Sequence, residues 1–225
     1  MSDSVIQLHQ MENRLYRLAV DLLATVHDTS GFVATMSAYT DLAEQLAGHK
    51  PVACKAGCFH CCVLNVSALL PEAVAIAGWL SMHCSGAGCD AQLKRLQSHA
   101  LRVRWMEDNE RIHRQTLCPF VDAQGSCSIY PVRPLVCRAV TSLDKTACLT
   151  ALDPHQFDAA HAVPMDTTRR MVMDAAFGAL ARAMNQQPMM SRSIELSNGV
   201  TAFLTDPGLV AALISGVNLP DSLWD

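Results

Sequence analysis

The chain lacks any long apolar run. A membrane-crossing helix needs roughly 20 unbroken apolar residues. Residues 66–82 are interrupted by Pro71 and Glu72, and residues 208–217 are too few. A basic excess is also missing: 17 lysines and arginines against 21 carboxylates leave a net charge of −4. That removes the electropositive face expected of a nucleic-acid partner and the polybasic cluster of a membrane anchor. Residues 1–14 have no cationic start followed by an apolar stretch, so no secretory leader is expected. There is no internal repeat, low-complexity tract or long linker, and no glycine-rich nucleotide loop following a strand. These absences give the expectation of a cytoplasmic protein without membrane or nucleic-acid partners.

What is present is apolar mass and sulfur. Half of the 225 residues are hydrophobic, enough to build a core without disulfide staples. Ten cysteines in a reducing compartment then point to metal or redox chemistry rather than structural disulfides.

Leu8, Met11, Leu15, Leu18, Ala19, Leu22, Leu23 and Val26 recur at helical spacing, which predicts an amphipathic helix over 5–27. A second helix is expected over 32–47, closed by Gly48 and Pro51. Pro71 suits the first turn of a third, reaching Met82. The glycine-rich turn 85–88 precedes a helix over 90–115, and further helices are expected over 166–185 and 207–215. Asn198-Gly199 inside 194–204 reads as a small hairpin. Between 118 and 148, Pro119, Gly125, Pro131 and Pro134 erase any period, so that segment must be held by something other than its own ladder.

The cysteines are the obvious holders. The first cluster is Cys54-x3-Cys58-x2-Cys61-Cys62. On a helix, steps of three and four would turn Cys54, Cys61 and Cys62 towards the face of Cys58. The second runs Cys118-Pro-Phe-x4-Gly125-x-Cys127-Ser-Ile-Tyr130-x2-Arg133-Pro134-x2-Cys137-Arg138, and Cys148 follows. Soft thiolates select zinc, copper(I) or iron–sulfur clusters. A tetrahedral zinc or a four-iron (4Fe-4S) cluster takes four of them. Cys54, Cys58, Cys61, Cys62, Cys118, Cys127, Cys137 and Cys148 therefore suffice for two four-thiolate sites, or for one with cysteines to spare. Adjacent Cys61 and Cys62 diverge by roughly 100° on a helix, so one can serve each of two neighbouring sites. The plainer reading is that free cysteines are small buried hydrophobes. Cys84 and Cys89, flanking the turn outside both clusters, fit that reading better than a ligand role.

These motifs resemble the bacterial YkgJ-like cysteine-cluster family, described as zinc- or iron-chelating proteins. The resemblance spans about 54–148. It departs from the usual first motif in the three residues between Cys54 and Cys58, where two are common. It implies a metal-chelating domain without fixing a reaction, and some longer relatives look like lysine methylases acting on flagellin.

A metal–thiolate centre carries negative charge, and nearby cations compensate it. Arg133 and Arg138 are placed for that role, the alternative for each being a tie to a carbonyl or an acid. Tyr130 is expected to pack over the loop. His60 should face away from Cys58, and His83, His99 and His113 read as helix-surface residues. The methionines at 171, 173, 184, 189 and 190 read as core filling.

The expected fold is therefore mostly α: a small helical domain with an irregular, metal-organised cysteine-rich loop region. Residues 1–50 form N-terminal helices, 51–150 the cysteine-cluster domain with a helical insertion over 66–115, and 151–225 a helical extension. The expected function is metal binding, through an iron–sulfur cluster or zinc, in electron transfer, redox sensing or cluster delivery. Two alternatives are a structural zinc module presenting a protein-binding surface, and an enzyme. The enzyme would be a thiol–disulfide catalyst through Cys58-Phe-His-Cys61 or a relative of the lysine methylases.

Overall fold

Leu15, Ala19 and Leu23 recur every four residues and are almost wholly buried. They form the inner stripe of α1 (Asp3–Leu23), the first element of a computed structural model that describes residues 3–155 and 161–224. Residues 156–160 of the expected C-terminal extension, and the first two residues of the stretch read for a leader, lie outside the described residues. Asp28 then caps α2 (Thr29–Ala47), its carboxylate accepting the Gly31 N–H at 2.7 Å. The third helix, α3 (Leu70–His83), starts with Pro71 in its first turn and is buried over most of its surface. It is preceded directly by the short strand β1 (Ser67–Leu69).

The single helix expected over 90–115 is two, α4 (Ala87–Val103) and α5 (Asp108–His113). The break lets Arg111 and Ile112 turn inward, and the Asp108 carboxylate accepts the Asn65 N–H. Two short helices, α6 (Leu135–Ala139) and α7 (Lys145–Ala151), lie within the irregular region. The long α8 (Thr167–Met184) follows.

The hairpin expected over 194–204 does not form. Ser193–Glu195 is a strand, β2, but its antiparallel partner is the distant β1, with Ala68 opposite Ile194. Asn198 and Gly199 lie inside α9 (Leu196–Thr205). Glu195 caps that helix by accepting the Asn198 N–H at 3.0 Å. A Cβ on Gly199 would come within 2.6 Å of Ile194 and 3.2 Å of Ala73, so this glycine serves close packing rather than a turn. The last helix, α10 (Gly208–Ser215), ends at Gly216 in the left-handed region.

One contiguous apolar core takes residues from α1, α2, α3, α8, α9 and α10, and from Phe120, Ile129 and Leu135 of the cysteine-rich region. Met173, Met184 and Met189 fill it, whereas Met171 is exposed. Among the described residues, no helix is long and apolar enough to cross a membrane.

The core also buries a carboxylate. Glu72, in the first turn of α3, accepts the Leu69 N–H at 2.8 Å and the Leu135 N–H at 2.7 Å. One side chain thus ties the start of α3 to the start of α6. Desolvation raises its pKa to about 7, against the two backbone donors and Arg138 that favour the anion. In the unfolded chain it titrates near the ordinary value of 4.5. Between about pH 4.5 and 7 the folded state therefore holds the extra proton, and stability falls as pH rises through that window. The expected decline is about 3 kcal/mol at most. Urea unfolding of the metal-free protein across this range checks it: Glu72→Gln should flatten the slope, and an unchanged slope would assign it to another group.

Candidate metal centre

The first cluster does not adopt the helix its spacing allows. Residues 54–59 form turns, with the Cys58 N–H on the Lys55 carbonyl at 3.0 Å, and only His60–Val63 make a 3-10 turn. A 3-10 turn separates consecutive side chains by about 120°, so Cys61 and Cys62 still diverge. Gly57 and Gly125, both with positive φ, allow the first and second motifs to approach. A Cβ on Gly125 would sit 2.6 Å from the Phe59 ring, which is why the second motif carries glycine there.

Backbone bonds stitch the segments together. The Cys118 N–H donates to the Cys62 carbonyl at 2.8 Å, and the Ala53 N–H to the Ser142 carbonyl at 2.8 Å. The Ser142 N–H in turn reaches the Cys54 sulfur at 3.3 Å. Cys137 rides on α6, and Cys148 on α7, whose cap is Asp144. Each of the eight cysteines named from the sequence is a free thiol and half-buried.

Their mutual influence runs in two sets that meet at Cys61. Burial pushes the Cys148 thiol up to about 11, with Cys61, Cys58 and Cys54 adding to the rise. Burial pushes Cys137 up to about 12, with Cys127 and Cys61 adding and the Arg133 guanidinium opposing. Cys118 is raised further, first by burial and then by Cys137 and Cys127. Cys127 is raised by burial against the Ile129 N–H, Arg133 and Arg138. Cys61 is raised most by the adjacent Cys62 thiol and by burial, again against Arg133. One group is thus Cys54, Cys58, Cys61 and Cys148. The other is Cys118, Cys127 and Cys137, with Cys62 joined to Cys118 through the backbone. Cys61 acts on members of both.

Arg133 and Arg138 part company. Arg133 stacks over the Tyr130 ring, 4.2 Å from its centroid, and favours the thiolate at Cys61, Cys127 and Cys137. Its Nε is buried with no hydrogen-bond partner. Arg138 instead spends its donors within the protein, on Glu44 at 3.0 Å and on the carbonyls of Arg133 and Pro131 at 2.9 and 2.7 Å. It is a strut for the loop, because burial obliges a guanidinium to find full hydrogen bonding. Further ties come from Arg95, which reaches the Pro119 and Val121 carbonyls, and from Asp122, which accepts the Gln124 and Ser126 N–H groups. Protein groups therefore already hold much of 118–148, a task the sequence assigns to cysteines alone.

Three other expectations change. Tyr130 is exposed and covers Arg133 rather than the loop. His60, a side chain that facing away from Cys58 would leave exposed, is half-buried beside the Phe59 ring. Cys84 and Cys89 form a disulfide, because the turn between them brings their Cα atoms to 5.3 Å, within disulfide span.

Sequence reasoning missed a polar cluster beside Cys62 and Cys118. His99, expected on the surface of α4, is buried, with Nδ1 2.9 Å from the Ser197 hydroxyl. Ser197 is bonded to Glu195, and Glu195 pairs with buried Arg111 at 3.5 Å. The signal was present: Leu96, His99 and Val103 follow one another at steps of three and four, so His99 continues the buried stripe of α4.

The donor chemistry suits a soft metal, since uncommitted sulfurs outnumber every other donor nearby. The thiols are not drawn into a finished cage: among the described residues, no three histidine, cysteine or carboxylate side chains stand as one. Thiols raised this far must lose protons to bind, so loading will favour alkaline pH. The chain matches no family model, no curated protein and no solved structure.

Proposed function

We propose that this chain is a metal-binding protein whose clustered thiolates hold an iron–sulfur cluster or zinc. The observation that carries the reading is that the eight clustered cysteines between 54 and 148 are all free and half-buried, with backbone bonds joining Cys118 to Cys62 and Ser142 to the Cys54 sulfur. Half-burying so many unpaired thiols, with the Arg133 guanidinium favouring the thiolate at Cys61, Cys127 and Cys137, has little purpose in a core that Leu, Ile, Val and Phe already fill. Cys54, Cys58, Cys61 and Cys148 are assigned to one site, and Cys62, Cys118, Cys127 and Cys137 to the other. Arg133 offsets their charge. The motif resemblance to YkgJ-like chelating proteins supports the same reading.

A visible spectrum with metal and sulfide analysis, on full-length protein purified without oxygen, tests this. Brown colour with iron and acid-labile sulfide identifies a cluster and directs attention to electron transfer, redox sensing or cluster delivery. A colourless protein with one or two zinc per chain selects the structural module, for which the ties from Arg95, Asp122, Glu72 and Arg138 already provide the frame. Failure to retain or take up any soft metal, with the thiols reduced, would overturn both.

A further inference from the structure

Cys84 ends α3 and Cys89 lies in the first turn of α4, and their disulfide closes the turn between the two helices. Neither cysteine is among the residues of the apolar core. A bridge across a sequence separation of 5 also constrains the unfolded chain less than a longer loop would. Holding the fold together is therefore a poor account of this bond. Both cysteines keep part of their surface in solvent, and residues 81–83, 85–88 and 90 around them are exposed. The turn is open to an incoming thiolate, and exposed disulfides are the labile ones.

What the bond does for α4 follows from how that helix starts. α2, α7 and α8 each begin with an aspartate whose carboxylate accepts a first-turn N–H. α4 begins at Gly86, with φ of 55° and no side-chain cap. Its first turn is tied down instead through the Cys89 sulfur. Further along, the same helix grips the second cysteine motif. Gln92 Nε2 donates to the Pro119 carbonyl at 3.3 Å, and the Arg95 guanidinium to the Pro119 and Val121 carbonyls at 3.2 Å each. Pro119 follows Cys118, and Val121 forms a bridge with Cys127. The disulfide thus anchors the end of the helix that holds the backbone beside two cysteines of the motif.

We propose that Cys84 and Cys89 form a redox switch, a two-electron couple that exchanges with external thiols and governs how firmly α4 holds the 118–127 segment. In the exchange an external thiol gives up its proton, and its thiolate attacks the Cys84 sulfur. The Cys84–Cys89 bond breaks. Cys89 leaves as a thiolate, because the first turn of a 17-residue helix favours an anion there, and it takes a proton. A second external thiolate then attacks the sulfur that came from outside, and Cys84 leaves and is protonated in turn. Two external thiols end as a disulfide, and the pair ends as two thiols. With the bond open, the uncapped turn frays and the Gln92 and Arg95 ties slacken. The switch itself needs no metal. Only its consequence for metal retention by Cys118 and Cys127 rests on the reading of those cysteines as ligands.

The test equilibrates full-length protein in glutathione buffers of rising reduced share. Differential alkylation with peptide mass spectrometry reads Cys84 and Cys89, and amide hydrogen exchange reads the backbone. Expected is a reversible passage from bridge to thiols as the reduced share rises. Exchange at 90–96 and 120–122 should be about five-fold faster in the reduced form, the factor that a lost helix cap represents. In the double variant Cys84→Ser, Cys89→Ser the fast exchange should appear in every buffer. A bridge that persists in fully reduced glutathione is a structural staple, and one that never forms in oxidised glutathione is no couple; either result overturns the proposal. So does identical exchange at 120–122 in the two wild-type forms, whether or not the variant folds. Failure to take up any soft metal in either form would sink the metal reading alone, since none of these measurements needs a metal.

Discussion

Replacing Cys61 by serine is expected to impair metal binding in both thiol groups, whereas Cys148→Ser and Cys127→Ser each impair one. Among the described cysteines Cys61 acts on Cys148 on one side and on Cys137 on the other, and it adjoins Cys62, which raises its pKa. A serine there removes a ligand from the first group. It also leaves Cys62, assigned to the second, beside a hydroxyl instead of a sulfur. Loss of an outer partner alone weakens metal sites by roughly 10–100-fold, so loss of the ligand in the first group should exceed about 100-fold. The second should weaken by the smaller factor. Competition with a chromophoric chelator, read as metal equivalents retained, separates the two groups. If all eight Cys→Ser variants lose the same metal in full, the thiols form a single site and the division fails. If Cys61→Ser retains every equivalent, Cys61 is only a buried thiol.

The parts of this molecule that were legible in its sequence are those fixed by short-range physics. The stripe of Leu15, Ala19 and Leu23, the Asp28 cap and Pro71 in a first turn each involve residues within one or two turns of one another. The cysteine motifs were legible because chemistry, not geometry, singles them out. What escaped depends on distant partners. Asn198-Gly199 looks like a turn until Ser193–Glu195 pairs with Ser67–Leu69, which requires the whole helical region between them to be in place. His99 looks like a surface residue until Ser197 and Glu195 arrive from the far end of the chain. Arg138 was open to a role beside the cysteines or a tie to an acid, and which acid it meets, Glu44 of α2, depends on a partner 94 residues away. In each case a local signal was read correctly as polar or turn-forming, and a long-range contact decided its use.

Glu44→Ala is expected to have the largest effect on stability, and to loosen the metal site without touching a cysteine. The Glu44 carboxylate receives both an Arg169 contact at 2.6 Å and an Arg138 contact at 3.0 Å, while Arg169 Nε also donates to the Arg138 carbonyl at 2.8 Å. This triad joins α2, α6 and α8. Partial burial opposes ionisation of Glu44, but the two guanidiniums prevail and hold its carboxyl below the ordinary value. Removing the carboxylate leaves two largely buried guanidiniums facing each other, the costly way to break such a group. Because Glu44 is about one-third exposed, solvent softens the cost to about 2–4 kcal/mol. The contribution is present above the unfolded carboxylate pKa and is lost as pH falls through the lowered folded value, so the difference between wild type and variant should narrow in acid. Most of the strain falls on α6, which carries Cys137 beside Arg138. Metal affinity of the group containing Cys118, Cys127 and Cys137 should therefore drop, while that of Cys54, Cys58 and Cys148 holds. Urea unfolding at pH 7 and pH 4, paired with chelator competition, tests both halves. A variant as stable as wild type at pH 7 would show that the two arginines find other partners. An equal loss of affinity in both thiol groups would show that the triad supports the whole fold rather than α6.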